Sequence, residues 1–414
     1  MNLVYSDKEN RVYESEEWFA VGRSGDRFIE ILEEDLIPLP EGATLVAIPN
    51  TRPMGMDPGT GEFTPLDGEV NAVGALLPQG YTRLLLPAYL KRNRKELLPL
   101  FGYTAVVWKE GKFYVAAMRS DEPERWNPLR FPMGEIERKV VELTGKYPEN
   151  RLVRHLSHCA LEYECLTAAN TFYGRWEGAV PISSSCNAGC YGCISEQKPE
   201  SGFPSAQTRL TFRPTLEEVV EVMLHHLKTP ESIISFGQGC EGEPSTQAPL
   251  VIEAIRAVRE KTSMGYINMN TNGGLTEQIK GIVDAGLDLM RVSTISAIPE
   301  HYNAYYRPRG YTLENVEKTL RYAADHGVYT SINYLIFPGV MDREEEVEAM
   351  IRFAQRTRLK RIQLRNLNID PDAYLSLIPP AKGELLGVKE AVRILAEEIP
   401  GIAIGSYTHP PLTT

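Results

Sequence analysis

The chain holds 414 residues, 43% hydrophobic and 24% charged, a composition that lets a core form and excludes wholesale disorder. Its length suits a large domain plus a smaller one, and its formal charge of −11 opposes a phosphate backbone, so nucleic acid is not an expected partner. Six cysteines are too few for a disulfide scaffold, no run of about 18 apolar residues occurs, and the opening MNLVYSDKEN meets charge before an apolar signal core is built; a cytoplasmic protein without a membrane anchor is expected.

Residues 1–150 are rich in Pro, Gly and short apolar runs, at 44–49, 83–87 and 103–108, that read as strands. Trp108-Lys-Glu-Gly-Lys-Phe113 places a Gly-containing turn between two such runs, and Asp57-Pro-Gly-Thr-Gly61 reads as another, which predicts a small β-rich N-terminal accessory domain. Residues 151–178 read as a connecting segment. Its stretch 151–165 has a helical reading and carries His155, His158, Cys159 and Cys165, a candidate second metal site. Against that site, Cys159 and Cys165 are six apart and do not share a helix face well.

Residues 179–414 change character: short apolar strands alternate with longer amphipathic helices, which predicts βα units on a parallel sheet. Strands are expected at 179–183, 232–236, 266–270, 287–293, 329–335 and 361–365. Thr215 with Glu218 forms a capping box ahead of Leu216, Val219, Val220, Met223, Leu224 and Leu227, a core stripe. A second box is read at Asp342 and Glu345, with Thr276 and Thr312 as further caps. Right-handed crossovers then curl six parallel strands into an open partial barrel. The predicted fold class is α/β, a partial (βα)6 barrel with a smaller β-rich N-terminal domain.

Ser185-Cys-Asn-Ala-Gly-Cys-Tyr-Gly-Cys-Ile194 sets Cys186, Cys190 and Cys193 directly after the first expected strand. Three thiolates leave one iron of a four-iron cluster open for another ligand. By itself the triad fits structural zinc equally well, since both metals favour closely spaced thiolates, and a grouping of small buried cysteines is the bland alternative.

Later motifs separate these readings. Phe236-Gly-Gln-Gly-Cys-Glu-Gly-Glu-Pro244 follows the second expected strand and Asn268-Met-Asn-Thr-Asn-Gly-Gly274 ends the third. The C-x3-C-x2-C spacing with these elements resembles the radical S-adenosylmethionine (SAM) superfamily over residues 179–370. In a βα barrel the strand C-termini converge on one face, so these groups would share one site.

The resemblance implies an enzyme in which the three cysteines hold a four-iron four-sulfur cluster and SAM chelates the open iron. It assigns Glu243 to the SAM ammonium, with Gly239 and Gly242 allowing close backbone approach. Asn270, Asn272 and Ser293 are expected at the carboxylate and ribose, Arg365 there or at a substrate anion, and Asn333 beside them. Reductive cleavage would give a 5′-deoxyadenosyl radical that abstracts hydrogen from a peptide or small-molecule substrate, with an electron donor such as flavodoxin or ferredoxin as partner. Two departures stand out: Gly192 occupies the place before the third cysteine where the family commonly has an aromatic, and the Gly-Gly pair has become Gly-Cys-Glu-Gly.

Cys240 admits three readings, as hydrogen-atom donor, cluster ligand or small packed residue, of which packing is favoured. The stretch 301–309, with Arg307, Arg309 and three tyrosines, reads equally as a substrate contact or a packed helix entry, and Glu344, Glu345 and Glu346 read as a solvated first turn. Two rivals to the enzyme are a zinc-stabilised binding protein and an iron–sulfur electron carrier.

Overall fold

The computed structural model describes residues 1–411 apart from 101, 123–126, 199–200 and 381. Thirteen strands between Asn2 and Arg119 pair antiparallel into one sheet system, as the turn-punctuated apolar runs lead one to expect. Glu110 and Gly111 both take positive φ, 50° and 75°, in the two-residue turn that joins Thr104–Lys109 to Lys112–Arg119. The run at 83–87 is divided between two short strands, Tyr81–Arg83 and Leu86–Pro87, which pair with different partners. Helices Met133–Lys146, Arg151–Glu162 and Leu166–Tyr173 follow, so helical structure starts before residue 150 and fills much of the stretch ahead of the barrel.

Seven parallel strands make the second sheet, in chain order: Glu177–Ala179, Ile233–Phe236, Tyr266–Thr271, Leu289–Thr294, Tyr329–Ile336, Arg361–Asn366 and Ala403–Gly405. Five of the six expected strands lie within two residues of their expected limits, while the first, expected at 179–183, lies earlier at Glu177–Ala179 and shares only Ala179 with it. The seventh, pairing Arg361–Gln363 with Ala403–Gly405, was not anticipated, since three residues after a long helix carry no period-two pattern. Sequential neighbours pair throughout, and helices cover the sheet with a core running from Leu84 to Ile399 that takes in Leu84, Leu86 and Leu100 of the N-terminal region. Among the described residues no helix is long and apolar enough to cross a membrane.

The Thr215 and Glu218 box caps helix Leu216–His226 as expected. Two other expected caps are corrected. Helix Glu344–Thr357 opens without one: Asp342 accepts instead from the Gly339 amide at 2.6 Å, and Glu345 from the Lys382 amide at 2.8 Å. Thr276 is inside its helix, its hydroxyl bonded to the Asn315 carbonyl (3.2 Å) and to Thr319 (2.9 Å). Thr276 found partners on another helix, whereas Asp342 bonds locally to an amide three residues before it in the preceding turn. Glu346 is a third correction: it is fully buried and accepts from Ser296 and His301, so only part of that first turn is solvated.

The antiparallel sheet is fastened to the barrel by polar groups. Arg83 is 1% exposed and donates to the carbonyls of Tyr103 (3.3 Å), Ile336 (3.1 Å) and Leu367 (2.6 Å). Asp370 accepts from the Leu98 amide at 2.8 Å and pairs with Lys91. Asp121 accepts from the Tyr407 amide at 2.9 Å and meets His409 at 3.0 Å.

His226 reports on the fit of the first barrel strand. Its ring lies under Gly178, where an added Cβ would be 2.7 Å from the imidazole, and its Nε2–H donates to the Trp176 carbonyl at 3.0 Å. Burial pushes this imidazole down from 6.5 to about 4. It folds neutral, so the stability it contributes is whole above pH 6.5 and is lost as the pH falls through about 4. The melting temperature is expected to drop on acidification across that window, with His226→Gln flattening the drop; His225, also lowered to about 4, preserves part of the slope. Superimposable acid profiles for the two proteins would rule out the linkage.

Candidate functional site

At the C-terminal ends of the parallel strands lies a cavity of about 430 Å³. Cys186, Cys190 and Cys193 line it, together with Gly239, Gly242, Glu243, Asn270, Asn272, Ser293, Asn333 and Arg365. The structure therefore brings to one place every residue expected to hold the cluster or SAM. Cys240 does not line this cavity; it is 3% exposed and packs on the far side of its loop.

The cysteine loop is held by its backbone. The amides of Gly189 and Tyr191 donate to the carbonyls of Tyr306 and Tyr305, each at 2.9 Å, and the Arg309 amide donates to the Asn187 carbonyl at 2.9 Å. Arg309 also reaches the Ala188 carbonyl with its guanidinium at 2.8 Å, while Arg307 stacks over the Tyr191 ring at 5.3 Å. The packed reading of 301–309 thus describes most of the segment, although Tyr305 and Tyr306 also face the cavity. Burial pushes the Cys186 thiol up to about 11 and raises Cys190 further. Protonated and buried, these thiols lack a positive partner that iron would supply, so the donor set fits a cluster. Arg209 already points a guanidinium nitrogen at Cys193 Sγ, 3.5 Å away, and Ser195 Oγ is 3.7 Å from the same sulfur.

The second loop sits against the first. Gly242 donates its amide to the Ser183 carbonyl and Glu243 donates to the Ser185 carbonyl, both at 2.7 Å. A Cβ on Gly242 would be 2.0 Å from the Ser185 carbonyl oxygen, so only glycine fits. Glu243 is buried; Oε1 accepts from the Ser245 amide (3.0 Å), the Ser245 hydroxyl (2.6 Å) and Thr271 (2.6 Å), and Oε2 from the Asn272 amide (2.7 Å). Burial raises its pKa, against the pull of these bonds. Oε2 keeps acceptor capacity for an ammonium.

Two carboxylates were missed from sequence. Glu241, 4% exposed, accepts from the amides of Ile182 (2.8 Å), Ser183 (2.9 Å), Gln238 (3.2 Å) and Gly237, and burial pushes it up to about 7. Glu177, in the first barrel strand, accepts from Arg291 (2.8 Å) and Ser235 (2.7 Å). Burial alone would raise Glu177, but Arg291 and the hydrogen bonds outweigh it and hold the carboxyl below its ordinary value. The signal available for Glu241 was its place between two glycines; Glu177 had none.

Arg365 is the cation left over. Burial pushes its guanidinium down to about 10, with Arg291 adding repulsion, and among the described residues it makes no hydrogen bond or ion pair. Of the second metal set, His155 and Cys159 come together with Cys240, their ligand atoms mutually within 4.8 Å, whereas His158 packs its ring on Tyr163 at 4.9 Å and Cys165 stands outside the group. A larger cavity of about 690 Å³, lined by Arg23, Arg52, Lys91 and Arg92 of the N-terminal region and by Asp372 of the barrel, contains none of these groups.

Residues 180–354 match the family model described as the radical SAM superfamily. A protein of Chlorobium luteolum described as a probable dual-specificity RNA methyltransferase RlmN is 33% identical over 191 residues, covering 44% of this chain; the chain spans about half, 51%, of that relative's length. Among solved structures, a radical SAM methyltransferase from Sphaerobacter thermophilus is similar at 20% identity and TM-score 0.40, over 56% of this chain and 65% of that one. The FeFe-hydrogenase maturase HydG from Carboxydothermus hydrogenoformans is similar at 15% identity and TM-score 0.38, over 67% and 71%. In its matching model and its cysteine motif, the segment 180–354 is similar to the radical SAM superfamily.

Proposed function

We propose that the protein is a radical SAM enzyme acting on a peptide or small molecule that carries an anionic group. The observation that carries this reading is the single cavity lined by Cys186, Cys190, Cys193, Glu243 and Arg365. Proteins of the superfamily use a four-iron four-sulfur cluster and SAM. When bound, this pair supplies one-electron chemistry, reductive cleavage of SAM to methionine and a 5′-deoxyadenosyl radical that takes a hydrogen atom from the substrate.

The chain's own groups orient the parts. The three thiolates hold iron, Glu243 Oε2 accepts from the SAM ammonium, and Asn270, Asn272 and Ser293 offer hydrogen bonds to the carboxylate and ribose. Tyr305 supplies the aromatic surface absent at Gly192, where an added Cβ would be 2.6 Å from the Tyr305 hydroxyl oxygen. Arg365 lies on the sixth strand, far in sheet order from the cysteine loop after the first, which supports reading its guanidinium as a contact for the substrate anion. Gln79, the N-terminal sheet system's contribution to the lining, faces substrate as well. A cytoplasmic location and a flavodoxin or ferredoxin as electron donor complete the reading. RNA methyl transfer, the activity in the Chlorobium relative's description, is not carried over: the likeness spans half of each chain and the charge of −11 opposes RNA.

Anaerobic reconstitution is expected to give an iron–sulfur chromophore with about four irons per chain, and dithionite with SAM is expected to release 5′-deoxyadenosine. A fully iron-loaded, reduced sample that neither binds nor cleaves SAM would overturn the proposal. Gly242→Ala should cut iron incorporation at least severalfold, because the Ser185 carbonyl must move; full iron loading in that variant would show that the loop contact is dispensable. For Arg365→Gln, calorimetric titration should give a SAM dissociation constant within about twofold of wild type. A tenfold weakening would transfer Arg365 from substrate to the SAM carboxylate.

A further inference from the structure

Behind the loop that carries Glu241 and Glu243, three side chains of metal-ligand type converge. His155 and Cys159 are four residues apart on helix Arg151–Glu162 and so share a face. Cys240 arrives from the loop after the second barrel strand, 81 positions further along the chain than Cys159 (240 minus 159). One ring nitrogen of His155 and the sulfurs of Cys159 and Cys240 all lie within 4.8 Å of one another, and Cys159 Sγ is 3.8 Å from His155 Nε2. Zn–S bonds of about 2.3 Å and Zn–N bonds of about 2.0–2.1 Å put adjacent tetrahedral sulfur and nitrogen ligands about 3.6 Å apart. Small side-chain rotations therefore suffice to close the group around an ion.

Packing accounts for either cysteine alone, because a free thiol behaves as a small hydrophobe. It does not account for an imidazole nitrogen aimed at the same two sulfurs. Both cysteines are buried and free, and His155 is half-buried. Charge favours the ion as well: two thiolates and a neutral imidazole around Zn²⁺ carry no net charge, so the filled site is inexpensive to bury. Soft sulfur with imidazole is the donor set zinc prefers over magnesium or calcium.

We propose that His155, Cys159 and Cys240 bind a zinc ion, with water in the fourth position on the partly exposed His155 side. Binding leaves both cysteines as thiolates, releases to solvent whatever thiol protons they still carry, and involves no electron transfer. The ion ties helix Arg151–Glu162 to the loop one residue before Glu241, bracing the SAM-facing loop from behind. This site is separate from the cysteine triad and does not rest on the proposed enzymatic reaction.

The test uses the full chain with Cys186→Ser, Cys190→Ser and Cys193→Ser, which removes the triad as a competing metal site. After zinc loading and gel filtration, about one zinc per chain should remain, and adding Cys159→Ala and Cys240→Ala should lower it at least tenfold. The cobalt-substituted triad variant should show sulfur-to-cobalt charge-transfer absorption that the further alanines abolish. Should the alanine variants not fold, the wild-type chain with its iron fully reconstituted still decides: zinc near one per chain in addition to iron supports the site, and zinc near zero overturns it. Zinc retained unchanged in folded Cys159→Ala, Cys240→Ala protein would overturn it equally. Failure of SAM cleavage in the wild type would leave these metal readings intact, so the two proposals fail separately.

Discussion

The constraint on which the cavity depends is a buried carboxylate. Where parallel strands end, their last amides lose ladder partners, and a loop that must remain dry has to satisfy them internally. Glu241 does so for Ile182 and Ser183 beyond the first strand and for Gly237 and Gln238 beyond the second. One side chain thus laces together the two segments that must meet: the lead-in to Cys186 and the lead-in to Glu243. The backbone pairs of Gly242 with Ser183 and Glu243 with Ser185 follow from that alignment. Burial and the four donors oppose each other in setting its proton affinity, and burial prevails.

The cysteine loop is supported from its other side by helix Pro299–Tyr306, whose final carbonyls would otherwise be unsatisfied. Those of Tyr305 and Tyr306 accept from the loop amides, so a helix C-terminus and a metal-binding loop solve each other's hydrogen-bonding deficit. Arg307 in the left-handed region, φ 46°, ends the helix and turns the chain so that Arg309 returns to the loop. Behind the same helix, His301 is paired with the buried Glu346, which fixes the helix on the barrel.

The N-terminal sheet system is attached through groups that cannot be left alone. Arg83, buried and depressed to about 9 by that burial, spends its guanidinium on carbonyls of its own sheet and of the barrel. Separating the two parts would break its bonds to the Ile336 and Leu367 carbonyls of the barrel, while the bond to Tyr103 stays within its own part. Such an attachment is specific in register, and it brings Gln79 to the cavity wall.

The six barrel strands, the capping box at Thr215 and the cysteine loop were legible in the sequence because each is a local pattern: an apolar run, a cap at fixed spacing, three thiols within one turn-rich loop. So were the polar strand ends, since parallel topology sends strand C-termini to a common face. Glu346 was misread because a first-turn carboxylate is normally solvated, and only the approach of Ser296 and His301 from another unit made it a buried acceptor. Thr276 lost its capping role for the same reason, whereas Asp342 turned to the Gly339 amide in its own preceding turn. The chain order alone determined which residues sit at strand ends and which thiols can share iron. Tertiary packing alone decided that Glu241 laces the two loops, that Arg365 is left unpaired in the cavity, and that Cys240 faces His155 and Cys159, because each of these depends on contacts between segments far apart in the chain, where no local period records the distance.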